Sequence, residues 1–197
     1  MSKLMTLIGK NARKVSLEKV NTKIKNNVLK EYSSLLNKEE NSILKANTRD
    51  IEFAVKKRLK KNLIDRLTID HHKLNSIRSS INKIIKLKDP VDNILDKWRR
   101  PNGLKINKVS IPIGVIGVIY ESRPNVTSDV AALCFKSGNA VILKGGSEAI
   151  NTNKILAKLF RKALKKNKVN ENFIQFVESK DRKMVDFMLS KMKDYID

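Results

Sequence analysis

Residues 111–127 read IPIGVIGVIYESRPNVT, and this stretch decides the fold. It contains a dense β-branched run at 115–120 that lacks the polar alternation of a strand with one face in water. Runs of this kind are typical of strands buried on both faces of a parallel sheet. Two similar runs follow at 140–143 and 173–177, so three buried strands are expected.

Helical patterns separate these runs, at about 127–136 and 151–166, and a last helix is expected over 181–192. Strands that alternate with helices predict a doubly wound α/β unit with a parallel sheet. Just before this unit, Pro-Asn-Gly at 101–103 lies between two short extended segments. This turn signal predicts a β-hairpin within 98–111.

The first half of the chain has helical patterns. Apolar residues recur at helical spacing from Leu17 to Leu35, and Ser16 is the expected N-cap of that helix. A second helix is expected over 39–59, with a break near the polar residues at 47–50. The sequence therefore predicts a helical region ahead of the sheet.

Asp70 is expected to cap a third helix, which ends before Asp89-Pro90 because a residue that precedes proline is pushed out of the helical region. The buried face of this helix is expected to consist of four aliphatic residues: Leu74, Ile77, Ile81 and Ile84. The whole chain is predicted to divide into three parts: a helical segment 1–97, a hairpin 98–112 and an α/β part 113–197.

The 197 residues have a net charge of +22, and this charge taken alone would favour nucleic acid as a binding partner. The excess is spread evenly, with 23 basic and 11 acidic residues in 1–98, and 19 and 9 in 99–197. Most of it is lysine, whereas specific reading of bases leans on arginine. A basic nucleic-acid-binding module is therefore disfavoured and is kept as an alternative.

Other features of the composition bear on the compartment. A single cysteine allows no intrachain disulfide, which fits a reducing cytosol. The start shows no secretory pattern, and the longest apolar run is too short for a bilayer, which needs about 20 residues. We therefore expect a cytoplasmic protein without a membrane partner.

The first candidate site is the corner at 121–127, after the first buried run. Ligands of α/β sheets bind beyond the carboxyl ends of the strands. The amide of Asn125 could there donate a hydrogen bond to a developing oxyanion. Alternatively, Asn125 or Thr127 merely caps the next helix and Pro124 sets a turn. The residues alone leave both interpretations open.

The second candidate site is the corner at 144–148, Lys-Gly-Gly-Ser-Glu, after the next run. Two glycines allow a backbone to approach a ligand closely. Lys144 could donate hydrogen bonds to a ribose hydroxyl or a phosphate. The pattern is not a Walker loop, and a glycine turn beside a solvated lysine is the alternative.

Two further kinds of site find no support in the sequence. Cys134 lies within a helical pattern among apolar residues, which indicates a buried structural thiol and not a nucleophile. His71 and His72 are adjacent, and adjacent residues do not share a helical face. No metal site is expected, since no ligand cluster completes a metal-binding spacing.

Two longer motifs of the chain resemble those of a known protein family. Residues 111–127 and 136–149 (KSGNAVILKGGSEA) are similar to the signature of the gamma-glutamyl phosphate reductases, or glutamate-5-semialdehyde dehydrogenases, of the aldehyde dehydrogenase superfamily. Shorter motifs resemble that family in the same order: Ala46-Asn47, Asp50-Ile51, Asp65-Arg66-Leu67, Asp89-Pro90-Val91 and Arg100-Pro101-Asn102-Gly103-Leu104. The resemblance implies an α/β fold in which a helical amino-terminal segment precedes an incomplete Rossmann-like parallel sheet of the aldehyde dehydrogenase type.

The resemblance also implies a reaction: NADPH reduces L-glutamyl 5-phosphate to L-glutamate 5-semialdehyde with release of phosphate, in proline biosynthesis. It implies that Asn125 holds the oxyanion, and that Arg123 meets the phosphate or the carboxylate of the substrate. The residues implied in binding NADP(H) are Lys144, Gly145, Gly146, Ser147, Glu148 and Ser122. Glutamate 5-kinase is a candidate partner, and the full-length enzyme is expected to be a homo-oligomer.

Family members are longer than this chain, and their nucleophilic cysteine lies beyond the part that matches. The chain is therefore expected to be truncated, to bind cofactor poorly, to aggregate and to be inactive alone. An inactive remnant that pairs with another chain is a further alternative.

Overall fold

The computed structural model describes residues 2–197 and contains eight α-helices and five β-strands in that range. In chain order these are α1 (Ser2–Ser16), α2 (Thr22–Lys38), α3 (Glu40–Lys56), α4 (Lys61–Leu67), α5 (His71–Lys86), β1 (Ile94–Arg99), β2 (Lys105–Val109), β3 (Val115–Ile119), α6 (Pro124–Lys136), β4 (Ala140–Lys144), α7 (Ile150–Lys166), β5 (Ile174–Phe176) and α8 (Lys183–Lys191).

The three β-branched runs form one parallel sheet in the order β3-β4-β5, with α6 and α7 as the connections. The predicted alternation of strand and helix is confirmed. Burial on both faces is confirmed for β4 and β5, whose residues are all buried. It is wrong for β3, where Ile119 is 43% exposed, because β3 is at the edge of the sheet within residues 2–197.

The predicted hairpin is confirmed, and its first strand begins at Ile94, ahead of the expected start. β1 and β2 are antiparallel, and the turn is closed where Arg100 N donates to Leu104 O at 2.9 Å. Gly103 has a φ of +87°, a conformation that glycine adopts without a steric cost. Both strands are largely exposed, so the hairpin contributes little to the core.

The expected N-cap at Ser16 is wrong. Ser16 is the last residue of α1, where its hydroxyl donates to Arg13 O at 2.8 Å. The cap of α2 is Asn21, whose Oδ1 accepts a 2.9 Å bond from Ile24 N. Leu17 lies between the two helices and is 81% exposed, so it does not belong to the buried stripe.

The expected break at 47–50 is also wrong, because α3 is continuous through these residues. Asn47 is buried and bonds to another segment: its Nδ2 donates to Leu67 O at 2.9 Å and its Oδ1 accepts from Ile69 N at 2.7 Å. Polar side chains that find tertiary partners no longer compete with the helical backbone.

The prediction for the third helix is confirmed. Asp70 caps α5, with its Oδ1 accepting a 2.7 Å bond from Lys73 N, and the four expected aliphatic residues are buried. The helix ends at Lys86, ahead of Asp89-Pro90. Asp89 then forms a salt bridge at 3.0 Å with Lys25 of α2, which is 2% exposed.

The helical region and the sheet share one hydrophobic core. α1 packs against β4 and β5, and α2 packs against α7. Tyr32 of α2 stacks on Phe160 of α7 with the ring centroids 4.5 Å apart. The division into three parts stays a prediction. Within residues 2–197, no helix has both the length and the apolar character to cross a membrane.

Candidate functional site

The two predicted corners lie side by side at the carboxyl edge of the sheet. Ile119 pairs with Lys144 in the parallel register, and Tyr120 N donates to Lys144 O at 3.1 Å. The loops that follow β3 and β4 therefore begin next to each other. Together with α4 and the segment after β5 they enclose a cleft of about 530 Å³, the first cleft. Its lining includes all of the expected cofactor residues: Ser122, Lys144, Gly145, Gly146, Ser147 and Glu148.

Lys144 is 4% exposed although it is charged. Burial lowers the pKa of Lys144, and the nearby carboxylates of Glu148 and Asp181 partly oppose this effect. Its ammonium group donates to Gly145 O at 2.9 Å, and no second partner is found within residues 2–197. An ammonium group has three donors, so Lys144 retains hydrogen-bonding capacity toward a ligand in the cleft.

Glu148 is held by two serines: Ser122 Oγ donates to its Oε2 at 3.0 Å and Ser147 Oγ to its Oε1 at 2.8 Å. Burial alone would raise the pKa of Glu148. Hydrogen bonds from its own backbone N–H and from the two serines, with the charge of Lys57, outweigh burial and lower that pKa. The cleft therefore presents an ionised carboxylate together with Lys144.

At both glycines of the second corner, neighbouring atoms leave little room for a side chain. A Cβ at Gly145 would overlap Asn153 Nδ2 and lie 3.0 Å from Tyr120 Cζ. A Cβ at Gly146 would lie 2.8 Å from Ser122 Oγ. The backbone at these positions is therefore bare, as close approach to a ligand requires.

Behind this loop lies a buried polar chain that the sequence did not reveal. The Tyr120 hydroxyl is 2.6 Å from Thr127 Oγ1, which donates to Asn153 Oδ1 at 2.9 Å. Burial raises the pKa of Tyr120 to about 12, so the phenol stays protonated. The chain ties the end of β3 to the first turns of α6 and α7.

The interpretation of Asn125 or Thr127 as a helix cap is wrong. α6 begins at Pro124, which has no N–H to satisfy, and Arg123 occupies the N-cap position without a side-chain bond. Asn125 is exposed at the second position of the helix. Its Nδ2 donates a 3.3 Å bond to Asp129 Oδ2.

Asn125 lines a second cleft of about 500 Å³, next to the first. Arg66 and Arg123 line both clefts, so the predicted oxyanion residue and the predicted nucleotide loop lie on either side of these two arginines. Both arginines are exposed. Neither forms a side-chain hydrogen bond or a salt bridge with any residue between 2 and 197, so both are available to an anion.

Several residues that line the clefts at this edge were not predicted from the sequence as site residues. Arg66 comes from α4, and Lys180 and Arg182 follow β5 and line the first cleft. The position of Lys180 and Arg182 just beyond a predicted strand was a usable signal. Arg66 belongs to the motif Asp65-Arg66-Leu67 that resembles the family, but no pattern in the sequence placed it at this edge, because only the packing of α4 brings it there.

Asp50 anchors the helix that follows the glycine loop. This residue of α3 is 1% exposed, and its carboxylate accepts hydrogen bonds from Asn151 N at 3.2 Å and from Thr152 N at 2.8 Å. Two side chains also donate to it, Asn151 Nδ2 at 2.8 Å and Thr152 Oγ1 at 2.6 Å. Asp50 thus caps α7 from another helix and satisfies donors that a helix start leaves free.

Cys134 is buried in α6, and burial raises the pKa of its thiol to about 11. A protonated, buried thiol is a poor nucleophile. His71 pairs with Glu40 and lines neither cleft. Within residues 2–197, no group of three or more histidine, cysteine or acidic side chains is placed to hold a metal ion.

Comparison with known proteins agrees with this arrangement. Gamma-glutamyl phosphate reductase of Clostridium novyi is 45% identical over 186 residues, which is 94% of this chain and 44% of that protein. The crystal structure of gamma-glutamyl phosphate reductase from Thermotoga maritima superposes with a TM-score of 0.94 at 37% identity, covering 98% of this chain and 47% of that one. The chain matches the amino-terminal part of gamma-glutamyl phosphate reductases. It spans about half the length of these relatives.

A more distant structure shows the fold alone. A putative aldehyde dehydrogenase from Bacillus subtilis superposes with a TM-score of 0.68 at 18% identity, over 96% of this chain and 39% of that one. The fold class is therefore confirmed: a helical amino-terminal segment followed by a parallel sheet of the aldehyde dehydrogenase type. No protein-family model matches the chain.

Proposed function

We propose that this chain forms the nucleotide-binding part of a cytoplasmic reductase of proline biosynthesis that converts L-glutamyl 5-phosphate into L-glutamate 5-semialdehyde and phosphate with NADPH. The main support is the strand register that sets the Asn125 corner beside the Lys144 corner. The names of the relatives support the same substrate. By the same proposal, the full-length enzyme is a homo-oligomer and glutamate 5-kinase is its partner.

The residues of the first cleft fit a nicotinamide dinucleotide. Lys144 has free donors toward a ribose hydroxyl, and Ser147 and Glu148 lie beside it. Gly145 and Gly146 leave the backbone open to the cofactor, and the exposed Arg182 supplies positive charge for a phosphate. Bound there, NADPH supplies the hydride.

In the second cleft, Asn125 donates a hydrogen bond to the carbonyl oxygen of the substrate as negative charge develops on it. Its Nδ2 has a second hydrogen beyond the one directed at Asp129. Arg123, at the junction of the clefts, neutralises the departing phosphate. Cys134 is unsuited to attack the acyl phosphate, so the thiolate has to come from outside this chain.

Nucleotide binding by the chain itself tests this proposal. We expect NADPH to perturb the amide NMR signals of residues 144–148 and 180–182 at millimolar concentration. Lys144→Met keeps the apolar stem but removes the ammonium group, and should weaken NADPH at least about tenfold, as loss of a charged hydrogen bond does. Lys30→Met removes one charge from an exposed site on α2 and should leave affinity unchanged. Equal affinities of wild type and Lys144→Met would overturn the role of Lys144.

The net charge of +22 is the observation that favours a nucleic-acid-binding module instead. Such a module releases counterions, so its affinity for DNA falls steeply with salt. A gel-shift series in increasing salt separates the two functions. Strong binding that weakens steeply with salt, together with no response to NADPH, would favour the nucleic-acid module.

A further inference from the structure

The second cleft holds a carboxylate that the mechanism above leaves without a role. Asp129 lies one helical turn after Asn125 on α6, and both line this cleft. Its Oδ1 is buried and has no hydrogen-bond partner within residues 2–197. Its Oδ2 lies on the exposed side, where it accepts the long 3.3 Å bond from Asn125. A carboxylate with so little compensation calls for an explanation.

The positive groups of the same cleft do not neutralise Asp129. None forms a salt bridge with it in the part of the chain that the structure describes. Lys73 is directed elsewhere, since its Nζ donates to Asp65 O at 2.6 Å and to Thr68 O at 2.8 Å. Arg66 lines the cleft and is exposed. The cleft thus presents one uncompensated carboxylate and two uncommitted guanidinium groups, of which Arg123 is already assigned to the phosphate and Arg66 is left for another anion.

We propose that the second cleft binds the α-amino acid head of the substrate, with Asp129 taking the α-ammonium group and Arg66 the α-carboxylate. This inference rests on the proposed function and assigns the substrate's two head charges to residues. A guanidinium is suited to a carboxylate because its parallel donors can bind both oxygens.

The spacing of Asn125 and Asp129 suits a glutamyl chain. Asn125 Nδ2 and Asp129 Oδ2 lie 3.3 Å apart on one face of α6, and each can form a further hydrogen bond with a different end of one ligand. In a γ-glutamyl phosphate, four bonds separate the reacting carbonyl carbon from the α-amino nitrogen, and they span about 5 Å when extended. One substrate can therefore place its carbonyl oxygen at Asn125 and its ammonium group at Asp129 Oδ2.

This arrangement gives the enzyme a means of selection. A substrate with an ammonium group compensates Asp129, whereas an acyl phosphate without one displaces water from the carboxylate and offers nothing in return. Sites that leave a desolvated polar group unpaired reject such analogues strongly. The reaction is thereby restricted to acyl phosphates of amino acids.

A pair of stable probes tests the assignment on the 197-residue chain. L-2-amino-6-phosphonohexanoate has the length and charges of the substrate, and 6-phosphonohexanoate lacks only the amino group. We expect the amino probe to bind wild type about tenfold more tightly in NMR titrations, as one charge-assisted bond implies. Asp129→Asn, an isosteric change, should reduce the affinity ratio of the two probes to about one, because the amino probe loses its charged partner and 6-phosphonohexanoate is no longer opposed by an unpaired carboxylate. Amide spectra confirm that each variant is folded.

Two further variants fix the assignment. Arg66→Gln should weaken both probes by the same factor, because both retain the carboxylate. Asp65→Asn, an exposed acid of the same cleft, should leave the affinity ratio unchanged. A ratio near one in wild type, or one that survives Asp129→Asn, would overturn the inference while the proposed function stands. Failure of both probes to bind at tens of millimolar would count against both proposals.

Discussion

Gly145 illustrates how a single missing side chain shapes the nucleotide loop. Its added Cβ in Gly145→Ala would overlap the amide of Asn153, which is fully buried, and would lie 3.0 Å from Cζ of the Tyr120 ring. We expect a loss of about 1–3 kcal/mol in the free energy of unfolding, the usual cost of overpacking. Gly146→Ala is the matched comparison, because the nearest atom to its Cβ would be the Ser122 hydroxyl oxygen at 2.8 Å, which is a smaller overlap than that of Gly145 with Asn153. Chemical denaturation measures both; a smaller loss for Gly145→Ala than for Gly146→Ala would contradict the steric account.

The burial of Cys134 predicts that its thiol reacts slowly with alkylating reagents. A thiol with a pKa raised from 9.0 to about 11 has roughly 100-fold less thiolate at pH 8, before any steric protection is counted. Alkylation by iodoacetamide in the native chain should therefore be at least about 100-fold slower than in the chain unfolded in urea. The rate is read from the mass increase over time. Similar rates in the two states would show that the thiol is accessible and ionised.

The sequence predicted the candidate site better at its charged corners than around them. Lys144 and Asn125 follow buried β-branched runs, and the carboxyl ends of parallel strands meet at one edge of a sheet. Arg66 and Asp129 were missed because their significance depends on how helices pack. Asn47 and Asp50 were mistaken for a helix break for the same reason, since their partners lie 20 to 105 residues away.

At the scale of elements, Asp50 joins α3 to the start of α7. Asp50→Ala removes the acceptor of four hydrogen bonds at a buried helix start, and should lower the free energy of unfolding by about 2–4 kcal/mol. Asp70→Ala removes an exposed cap of α5 and should cost less. Thermal and urea unfolding compare the two variants. An equal or smaller loss for Asp50→Ala would mean that water or other residues replace its carboxylate.

The contact between α2 and the loop that follows α5 gives the stability a pH dependence. Burial would raise the pKa of Asp89, but hydrogen bonds from Lys25, Val91 and Thr22 outweigh burial and lower it below 3.8. As the solution is acidified, Asp89 takes up a proton at a higher pH in the unfolded state than in the folded state. The stability that ionised Asp89 contributes is therefore present above about pH 4 and is lost as the pH falls through the folded-state pKa.

Asp89→Asn should lower the free energy of unfolding at pH 7 and should make that free energy fall less steeply as the pH is lowered below about pH 4. Glu52→Gln removes an exposed carboxylate of α3 and should leave the slope as in wild type. Urea unfolding across this pH range measures both. An unchanged slope in Asp89→Asn would exclude this carboxylate as a source of acid sensitivity.

At the scale of the whole molecule, two features act in opposite directions on self-association: the positive charge opposes it and the exposed apolar surface favours it. A net charge of +22 repels a second copy of the chain, whereas the hairpin exposes Leu95, Trp98, Leu104 and Val109. Salt shortens the range of the repulsion, from a Debye length of about 30 Å at 0.01 M to about 3 Å at 1 M. The apolar attraction is not screened, so the expected tendency to aggregate should emerge as salt is added.

Sedimentation velocity across this salt range tests the balance, with an apparent mass that rises above 22.5 kDa as salt increases. Leu95→Lys places a charge on the exposed face of β1, and should move the onset of association to higher salt. Leu17→Lys, also at an exposed leucine but outside the hairpin, is the matched control and should shift the onset less. An apparent mass that falls with salt would show that association is driven by charge pairing, and the hairpin would then have no part in it.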